Sequence, residues 1–404
     1  MRGTEALAND MLFLDSRRVG AVPRWLLLST LLVTAALPAG CSQVLGPGRP
    51  LRPPTDVRAI WVTRWDYRGP QDIRRIMEDC RSLGLNTVLF QVRGAADAFY
   101  RSRLEPRAEE LRGAEPLFDP LATAIREAHA RQLQLHAWVN VLPLWKGRSP
   151  PKDPHHLYHR RPEWRLVDQF GRPQPLGDHY VLVNPCRPEV RRYLAAVLGD
   201  IVSRYAVDGL HLDYIRFVTE EMNPASDYPY DARTVSLYRR ATGRAPAVGE
   251  ALWKRWRSQQ IDALVKEISA VVGRRRPGAM LSAAVFADRS EGKRRFYQNG
   301  ERWLANGWVD AVFPMIYRDD SLQGGVQFAG ILRDWQQRSH GRLVVAGIGV
   351  YKQREPTTAA RQIELAGRVG GGFALFSYGS MFSSPAQGLS QDQIRAVLAS
   401  DAIR

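Results

Sequence analysis

One repeated pattern limits most strongly what this chain can fold into. Short apolar runs rich in β-branched residues alternate with polar loops and with segments of helical periodicity. Strands that are buried on both faces read as continuous apolar runs, and helices between them imply parallel pairing. The runs, in chain order, are VRAIWVT, NTVLFQV, QLHAWVN, DGLHLDY, MLSAAVFA, VDAVFPMIY, LVVAGIGV and GFALFSY.

Eight strand–helix units within about 350 residues predict an α/β fold, a (β/α)₈ TIM barrel built as a single domain over residues 57–404. A doubly wound sheet is the alternative, but it usually has fewer strands, and no GxGxxG motif follows the first strand here. Two long insertions, 141–187 and 218–249, follow the third and fourth strands. Both lie on the strand-to-helix side, where barrel active sites are built.

The residues before the first strand predict export. Arg17, Arg18 and Arg24 precede the apolar run WLLLSTLLVTAALPAG, which stops at Cys41. This run is too short for a good membrane-spanning helix, whereas basic residues, an apolar stretch and small residues in that order are typical of a signal peptide. We therefore interpret residues 1–41 as a signal peptide.

The end of that run also predicts a lipid anchor. Ala39, Gly40 and Cys41 resemble the end of a bacterial lipobox. A lipobox has leucine three residues before the cysteine, where this chain has Pro38; its leucine, Leu37, lies one residue earlier. Cys41 would be lipidated, and residues 42–56, rich in proline and glycine, would form a tether. Because no aspartate follows the cysteine, the expected location is the outer membrane, facing the periplasm.

Charge and cysteine content exclude several partners. The formal net charge is +16, but the arginines are scattered along the chain and no nucleic-acid-binding motif accompanies them. We therefore expect no nucleic-acid partner.

The three cysteines, Cys41, Cys80 and Cys186, are too few for a disulfide framework and lack metal-ligand spacing. The sequence leaves open whether Cys80 and Cys186 form a disulfide. We expect a monomer without metal or other cofactor.

Polar and aromatic residues stand where the predicted strands end, and in a barrel these ends share one mouth. Aromatic rings can stack on pyranose rings, while carboxylates and amides bind hydroxyls, so such a set is typical of a sugar site. The candidate substrate-binding residues are Trp61, Arg93, Asp97, Trp138, Asn140, His211, Tyr214, Arg216 and Tyr317. Structural alternatives are an Arg93–Asp97 ion pair and core positions for Trp61 and Trp138.

Asp213 is the strongest catalytic candidate. In VDGLHLDYIRF, His211 and Asp213 are two residues apart and therefore point to the same side of the strand. An ionisable residue at the end of an apolar barrel strand has a desolvation cost that structure alone rarely justifies. The structural alternative is an ion pair of Asp213 with Arg216 or His211. Asp208, followed by glycine, is expected to serve only the turn into this strand.

Ordered motifs along the chain resemble glycosyl-hydrolase-like family 10, a family of bacterial envelope proteins. These motifs are RAIWVT, NTVLFQVRGAADAFY, HAWVNVLPLW, VNPCRPEVRRYL, VDGLHLDYIRF and QNGERWLANGWVDAVFPMIYRDD. The resemblance implies a TIM barrel, glycan hydrolysis and, for some members, peptidoglycan stripped of its stem peptides as the substrate. The family commonly has a second acidic residue directly after the fourth-strand aspartate, where this chain has Tyr214.

The expected function is therefore hydrolysis of a cell-envelope or extracellular polysaccharide by two carboxyl groups. Asp213 would be the nucleophile or base, held ionised by His211 and Arg216. The acid would be Asp288, Glu220 (or its neighbour Glu221) or Asp319, although Asp319 could be only a solvated loop tip. The alternatives are a glycan-binding lipoprotein without activity and a hydrolase of another bond on the same barrel.

Lipidation is directly testable. In a bacterial host, a palmitate analogue should label the full chain, and Cys41→Ser should abolish the label because no other thiol lies in the lipobox. Fluorescence of the band on a gel measures the label. Cys186→Ser, which removes a thiol elsewhere, should keep it. Label that persists on Cys41→Ser would reject the anchor.

Overall fold

The computed structural model describes residues 56–111, 113–114, 117–217, 225–319, 326–353, 355–382, 392 and 396. The predicted signal peptide and Cys41 lie outside these residues. The strands within them are β1 (Val57–Val62), β2 (Thr87–Arg93), β3 (Gln134–Asn140), β4 (Pro143–Gly147), β5 (Gly177–Leu182), β6 (Gly209–Asp213), β7 (Met280–Phe286), β8 (Ala311–Ile316), β9 (Leu343–Val344), β10 (Ala346–Gly349) and β11 (Gly372–Phe376).

Helices occupy most connections between the barrel strands. They are α1 (Pro70–Ser82), α2 (Pro120–His129), α3 (Leu157–Arg160), α4 (Pro188–Arg204), α5 (Ala232–Thr242), α6 (Ala251–Arg275), α7 (Arg289–Arg295), α8 (Gly300–Ala305), α9 (Val326–Gln337), α10 (Pro356–Val369) and α11 (Tyr378–Phe382). Short 3₁₀ helices span Glu109–Leu111, Pro162–Trp164 and Val350–Lys352. Among the described residues, no helix is long and apolar enough to cross a membrane.

Eight parallel strands close into a barrel, which confirms the predicted fold. β1 pairs with β2, and pairing continues through β3, β6, β7 and β8; β8 then pairs with β10, β10 with β11, and β11 with β1. The predicted seventh strand is interrupted at Val345, between β9 and β10. Val345 nevertheless donates its N–H to Val312 O over 3.0 Å, so the run stays within the sheet.

The alternation of side chains along β1 shows why the barrel has two apolar cores. Val57, Ala59 and Trp61 belong to a buried cluster that fills the barrel interior. Ile60 and Val62 belong to a second cluster, which lies between the strands and the surrounding helices. Successive side chains of a strand point to opposite faces, so both faces must be apolar. This explains the continuous apolar runs in the sequence.

The first helix packs on the barrel by the predicted face. Ile73, Ile76, Met77 and Cys80 of α1 are fully buried in the outer cluster. Gly84, just beyond the helix, has a φ of +76°, which glycine adopts without strain and which ends the helix as predicted.

Both cysteines within the described residues are free thiols. Cys80 and Cys186 are fully buried and form no disulfide. Burial raises the pKa of each thiol above its usual range, so both stay protonated. A buried, protonated thiol acts as a small apolar side chain and not as a nucleophile.

The insertion after β3 folds over the mouth of the barrel. It contains the antiparallel hairpin of β4 and β5, in which Lys146 is the register partner of Tyr180. The insertion after β6 contains α5, while residues 218–224, which include Glu220 and Glu221, lie outside the described residues. Both insertions follow strand ends, so they lie on the side where the site was predicted.

Asp208 and Gly209, at the start of β6, hold this strand against its neighbour β3. Asp208 lies at a bend, is buried, and its Oδ2 accepts hydrogen bonds from Leu135 N (2.8 Å) and from His129 Nε2 (2.8 Å). Gly209 is required for space, since a Cβ there would lie 2.6 Å from Nδ1 of His136. Asp208 therefore has a structural role, beyond ordinary turn formation.

The role of Asp208 generates a stability prediction. Asp208→Asn should lower the free energy of unfolding by about 1–3 kcal/mol, because the neutral amide loses the attraction between the carboxylate and Arg276 and places an NH₂ group where a buried carboxylate oxygen was. Urea unfolding followed by circular dichroism measures this. Glu364→Gln, at an exposed ion pair with Arg368, should change stability by less than about 0.5 kcal/mol. Equal midpoints for the two variants would contradict the prediction.

Candidate functional site

A cavity of about 300 Å³ lies at the mouth of the barrel, where the strands reach their C-terminal ends. Strand ends, the loop after β1, the β4–β5 hairpin and the loops after β6, β8 and β10 contribute its walls. The lining residues are Trp61, Thr63, Arg64, Trp65, Gln91, Trp138, Asn140, Tyr180, Asp213, Tyr214, Arg216, Ala284, Met315, Tyr317, Tyr351 and Phe376. Seven of the predicted site residues are therefore brought together here: Trp61, Trp138, Asn140, Asp213, Tyr214, Arg216 and Tyr317.

Asp213 ends β6 in register with Asn140, which ends β3. Among the described residues that line the cavity, it is the sole carboxylate. Its Oδ1 accepts hydrogen bonds from Tyr214 N (2.6 Å) and from Arg216 Nη1 (2.9 Å). Its Oδ2 accepts none from the described residues, and the residue is 7% exposed. One oxygen is thus fixed while the other is available to a ligand.

Tyr214 has a strained backbone beside this carboxylate. Its φ of +47° lies in the left-handed region, which costs a residue other than glycine about 1–3 kcal/mol. Its ring packs edge-on against Tyr180, with centroids 5.0 Å apart, and the Arg216 guanidinium lies 4.1 Å from its centroid. Burial, together with the charge of Asp213, raises the pKa of Tyr214 to about 12. At neutral pH its phenol is therefore a hydrogen-bond donor.

His211 lies beneath the cavity and supports Trp61. Trp61 Nε1 donates to His211 Nε2 over 3.1 Å, and His211 Nδ1 lies 2.9 Å from Ser282 Oγ. Burial lowers the pKa of His211 well below its usual range, so the ring is neutral. Because indole only donates, Nε2 must accept and Nδ1 must carry the proton toward Ser282. Neither ring nitrogen hydrogen-bonds to Asp213; the expected contact with Asp213 is made by Arg216 alone.

Aromatic rings from the ends of β1 and β11 and from the segments after β8 and β10 form one wall of the cavity. Tyr317 stacks on Phe376 with centroids 5.4 Å apart, and Trp61 meets Phe376 edge-on at 5.9 Å. Tyr351 extends this wall to the rim and packs edge-on against Tyr317 at 6.0 Å. Burial, with the charge of Asp213 next, raises the pKa of Tyr317 well above its usual range. The wall is therefore apolar, with neutral phenols.

Two polar atoms in the cavity residues lack partners. Trp138 Nε1 and Asn140 Oδ1 are buried and have no hydrogen bond with any described residue. The amide nitrogen of Asn140, in contrast, donates to Gly94 O over 3.1 Å. Leaving a buried donor or acceptor unsatisfied costs about 1–3 kcal/mol, which a polar ligand reaching these atoms would recover.

Arg93 and Asp97 do not line this cavity, and they do not pair with each other. Arg93 is fully buried and forms a bidentate ion pair with Glu105, at 2.7 and 2.8 Å. Its Nη1 also donates to the backbone carbonyls of Asn140 and Val141, so it fixes the end of β3. Asp97 lines an adjoining cavity instead.

None of the three acid candidates lines the cavity within the described residues. Asp288 is exposed and caps α7, where its Oδ1 accepts from Glu291 N over 2.8 Å. Asp319 is half-buried on the loop after β8. Glu220 lies outside the described residues. No group of three or more histidines, cysteines or carboxylates among the described residues is placed to hold a metal ion.

Arg64 and Tyr180 are cavity residues that the sequence-based choice missed. Arg64 is buried; its Nε donates to Glu110 Oε1 (2.9 Å) and its Nη1 to Tyr180 OH (3.1 Å). Its backbone N–H donates to Gln91 Oε1 (3.0 Å), which ties the ends of β1 and β2 together. Arg64 directly follows a predicted strand, so its place at the mouth could have been predicted from the sequence. The place of Tyr180 could not, because only the hairpin brings it to the mouth.

A second cavity of about 470 Å³ adjoins the first and shares Arg64 and Trp65 with it. It lies between the loop after β2 and the hairpin. Its other residues are Ala95, Asp97, Glu109, Glu110, Trp145, Lys146, Gly147, Gly177 and Asp178. The two cavities therefore adjoin at these two residues, and together they are called the cleft.

Solved structures share this fold. The chain matches the glycoside hydrolase domain of PgaB (BpsB) from Bordetella bronchiseptica with a TM-score of 0.62 and 12% identity, over 85% of this chain and 99% of that one. It matches the catalytic domain of β-amylase from Paenibacillus polymyxa with a TM-score of 0.59 and 10% identity, over 87% of this chain and 100% of that one. At such identities the likeness concerns the fold alone.

Sequence comparison gives the family. Glycosyl hydrolase DigH of Escherichia coli is 28% identical over 360 residues, 79% of this chain and 77% of that protein. Glycosyl hydrolase YngK of Bacillus subtilis is 23% identical over 315 residues, 69% of this chain but only 57% of that protein. Residues 56–361 match the family model described as Glycosyl hydrolase-like 10. The chain therefore belongs to the Glycosyl hydrolase-like 10 family, as its motifs predict.

Proposed function

We propose that this chain is a glycoside hydrolase that cleaves O-glycosidic bonds of a polysaccharide. One observation carries the proposal: Asp213 stands at the barrel mouth with Oδ1 fixed by Tyr214 N and Arg216 and with Oδ2 free toward the cavity. A carboxylate held in one orientation, with one oxygen available, suits attack on an anomeric carbon, or removal of a proton from a water molecule that attacks this carbon.

The walls of the cavity suit a sugar ring. Tyr317, Phe376 and Tyr351 offer apolar ring surface to the C–H faces of a pyranose. The buried polar atoms of Trp138 and Asn140, one donor and one acceptor, match hydroxyl groups, which can both accept and donate.

The proposed mechanism uses two carboxyl groups. Asp213 would act as nucleophile or base, and Arg216 would stabilise its ionised form. A protonated carboxyl of Glu220, Asp319 or Asp288 would donate its proton to the leaving glycosidic oxygen, and the product sugar takes up the elements of water. No cofactor enters this scheme.

A glycan-binding protein without activity is the second candidate. Asp213 is the sole carboxylate among the described cavity residues, and Tyr214 stands where the family commonly has an acid. Such a protein would keep the aromatic wall and lose turnover, so it differs from the hydrolase only in its chemistry.

The proposed substrate is a cell-envelope or extracellular polysaccharide, with peptide-free peptidoglycan as the leading example. Support comes from the signal-peptide pattern ending at Cys41 and from relatives that are named glycosyl hydrolases. We infer an exported monomer, anchored by lipid to the outer membrane and facing the periplasm.

Asp213→Asn should separate the two candidates. It keeps the shape and removes the charge, so turnover of peptide-free peptidoglycan should fall at least about a thousandfold, roughly 4 kcal/mol of transition-state stabilisation. Release of reducing ends measures turnover. Melting temperature should change little. Asp208→Asn is the matched control, expected to lose stability and to lose activity only as the protein unfolds. Near-normal turnover in folded Asp213→Asn would reject the mechanism.

A second panel tests the acid. The variants are Glu220→Gln, Asp319→Asn and Asp288→Asn. The one that removes the general acid should hydrolyse polysaccharide about a hundredfold more slowly, or slower still, since general acid catalysis contributes about that much to the rate. It should recover on an aryl glycoside whose leaving group needs no proton. The hydrolysis rates of each variant on polysaccharide and on the aryl glycoside are measured and compared. If all three variants keep normal rates on polysaccharide, none of these residues is the acid.

A further inference from the structure

The second cavity has an exposed aromatic platform at its border with the first. Trp65 is 62% exposed, although large apolar rings are usually buried. The Arg64 guanidinium lies 4.3 Å from the Trp65 ring centroid and holds one side of the ring. The ring thus presents a surface shared by both cavities, at the place where a glycan would pass from one to the other.

Asp97 is the buried anchor of this second cavity. It is only 4% exposed, and its Oδ1 accepts from Ala95 N (2.8 Å) and Gly94 N (3.1 Å). Its Oδ2 accepts no hydrogen bond from the described residues. A carboxylate oxygen that lines a cavity and has no protein donor, on a residue that is otherwise buried, is placed to accept a hydrogen bond from a ligand.

Carboxylates outnumber cations in the lining of this cavity, which contains Asp97, Glu109, Glu110 and Asp178 but only two cations, Arg64 and Lys146. Arg64 pairs with Glu110 at 2.9 Å and also interacts with the charge of Asp97, while Arg148 pairs with Asp178 at 2.8 Å on the rim. Lys146 forms no ion pair with a described residue, and its Nζ lies 5.7 Å from the centroid of the Tyr180 ring. Burial, and next the charge of Asp97, raises the pKa of Glu110 despite its contact with Arg64. The charge of Asp97 is therefore felt inside the cavity.

We propose that this cavity is a second sugar-binding subsite, in which Asp97 binds the protonated free amine of an amino sugar and Trp65 stacks on its ring. The inference rests on the proposed function and specifies its substrate class: a partly de-N-acetylated polysaccharide that spans both cavities. A carboxylated sugar would face Asp97 and be disfavoured, so the muramic acid units of peptide-free peptidoglycan would lie outside this subsite and its de-N-acetylated glucosamine units would occupy it.

Binding measurements test this without relying on turnover. Calorimetry on the full chain in detergent, with Asp213→Asn to keep the glycan intact, compares a glucosamine oligosaccharide with its fully N-acetylated counterpart at about pH 6, below the usual amine pKa. The glucosamine oligosaccharide should bind at least about tenfold more tightly, as one charge-assisted hydrogen bond allows. Raising the ionic strength should reduce this preference.

Further variants locate the effect. Asp97→Asn should remove the preference for the glucosamine oligosaccharide, and Trp65→Ala should lower the affinity for both oligosaccharides equally. Glu364→Gln, which removes a carboxylate on α10 outside the cleft, should change neither affinity. Equal affinities, or a preference that survives Asp97→Asn, would overturn the subsite. Equal affinities together with Asp213-dependent hydrolysis would reject the subsite and keep the hydrolase. The preference without Asp213-dependent hydrolysis would reject the hydrolase alone.

Discussion

Closure of the parallel barrel forces the last inward side chain of each strand into one small space. Trp61 on β1, Trp138 and Asn140 on β3, and Asp213 on β6 are all inward positions at strand ends. Because side chains alternate, each strand has little choice about which residue it contributes. A shift of β6 by one residue would turn the Asp213 side chain toward the helices, and a neighbouring residue of the strand would take its place at the mouth. The site therefore depends on strand register more than on any loop.

The floor of the cavity is held by buried polar contacts that are costly to rearrange. Neutral His211 joins Trp61 to Ser282 and so fixes the indole that lines the cavity. Beside it, the strained Tyr214 persists because its N–H and the Arg216 side chain converge on one oxygen of Asp213. Strain of this kind survives only where the surroundings over-determine it. The arrangement fixes the carboxylate before any ligand arrives, which lowers the entropic cost of binding and chemistry.

The sequence could predict those residues whose position follows from strand periodicity, and it failed where a distant contact decides. Asp213 and Asp288 both stand near strand ends, yet α7 begins directly after Asp288 and engages its carboxylate as a helix cap. Arg93 looked like a ligand for sugar or for Asp97, but Glu105, twelve residues later, folds back onto it. Tyr180 reaches the mouth only through the β4–β5 hairpin. Capping, buried pairing and hairpin placement are tertiary outcomes that residue spacing does not encode.

Net charge is a poor guide to what this cleft binds. The chain carries a formal charge of +16, which by itself favours a polyanion. Yet two arginines near the mouth are paired locally: Arg64 with Glu110 at 2.9 Å, and Arg216 with Asp213 at 2.9 Å. Charges on the outer surface are screened within about 8–10 Å at physiological salt, whereas the buried carboxylate of Asp97 is screened far less. Four carboxylates and two cations line the second cavity, so its formal charge is opposite in sign to that of the protein as a whole.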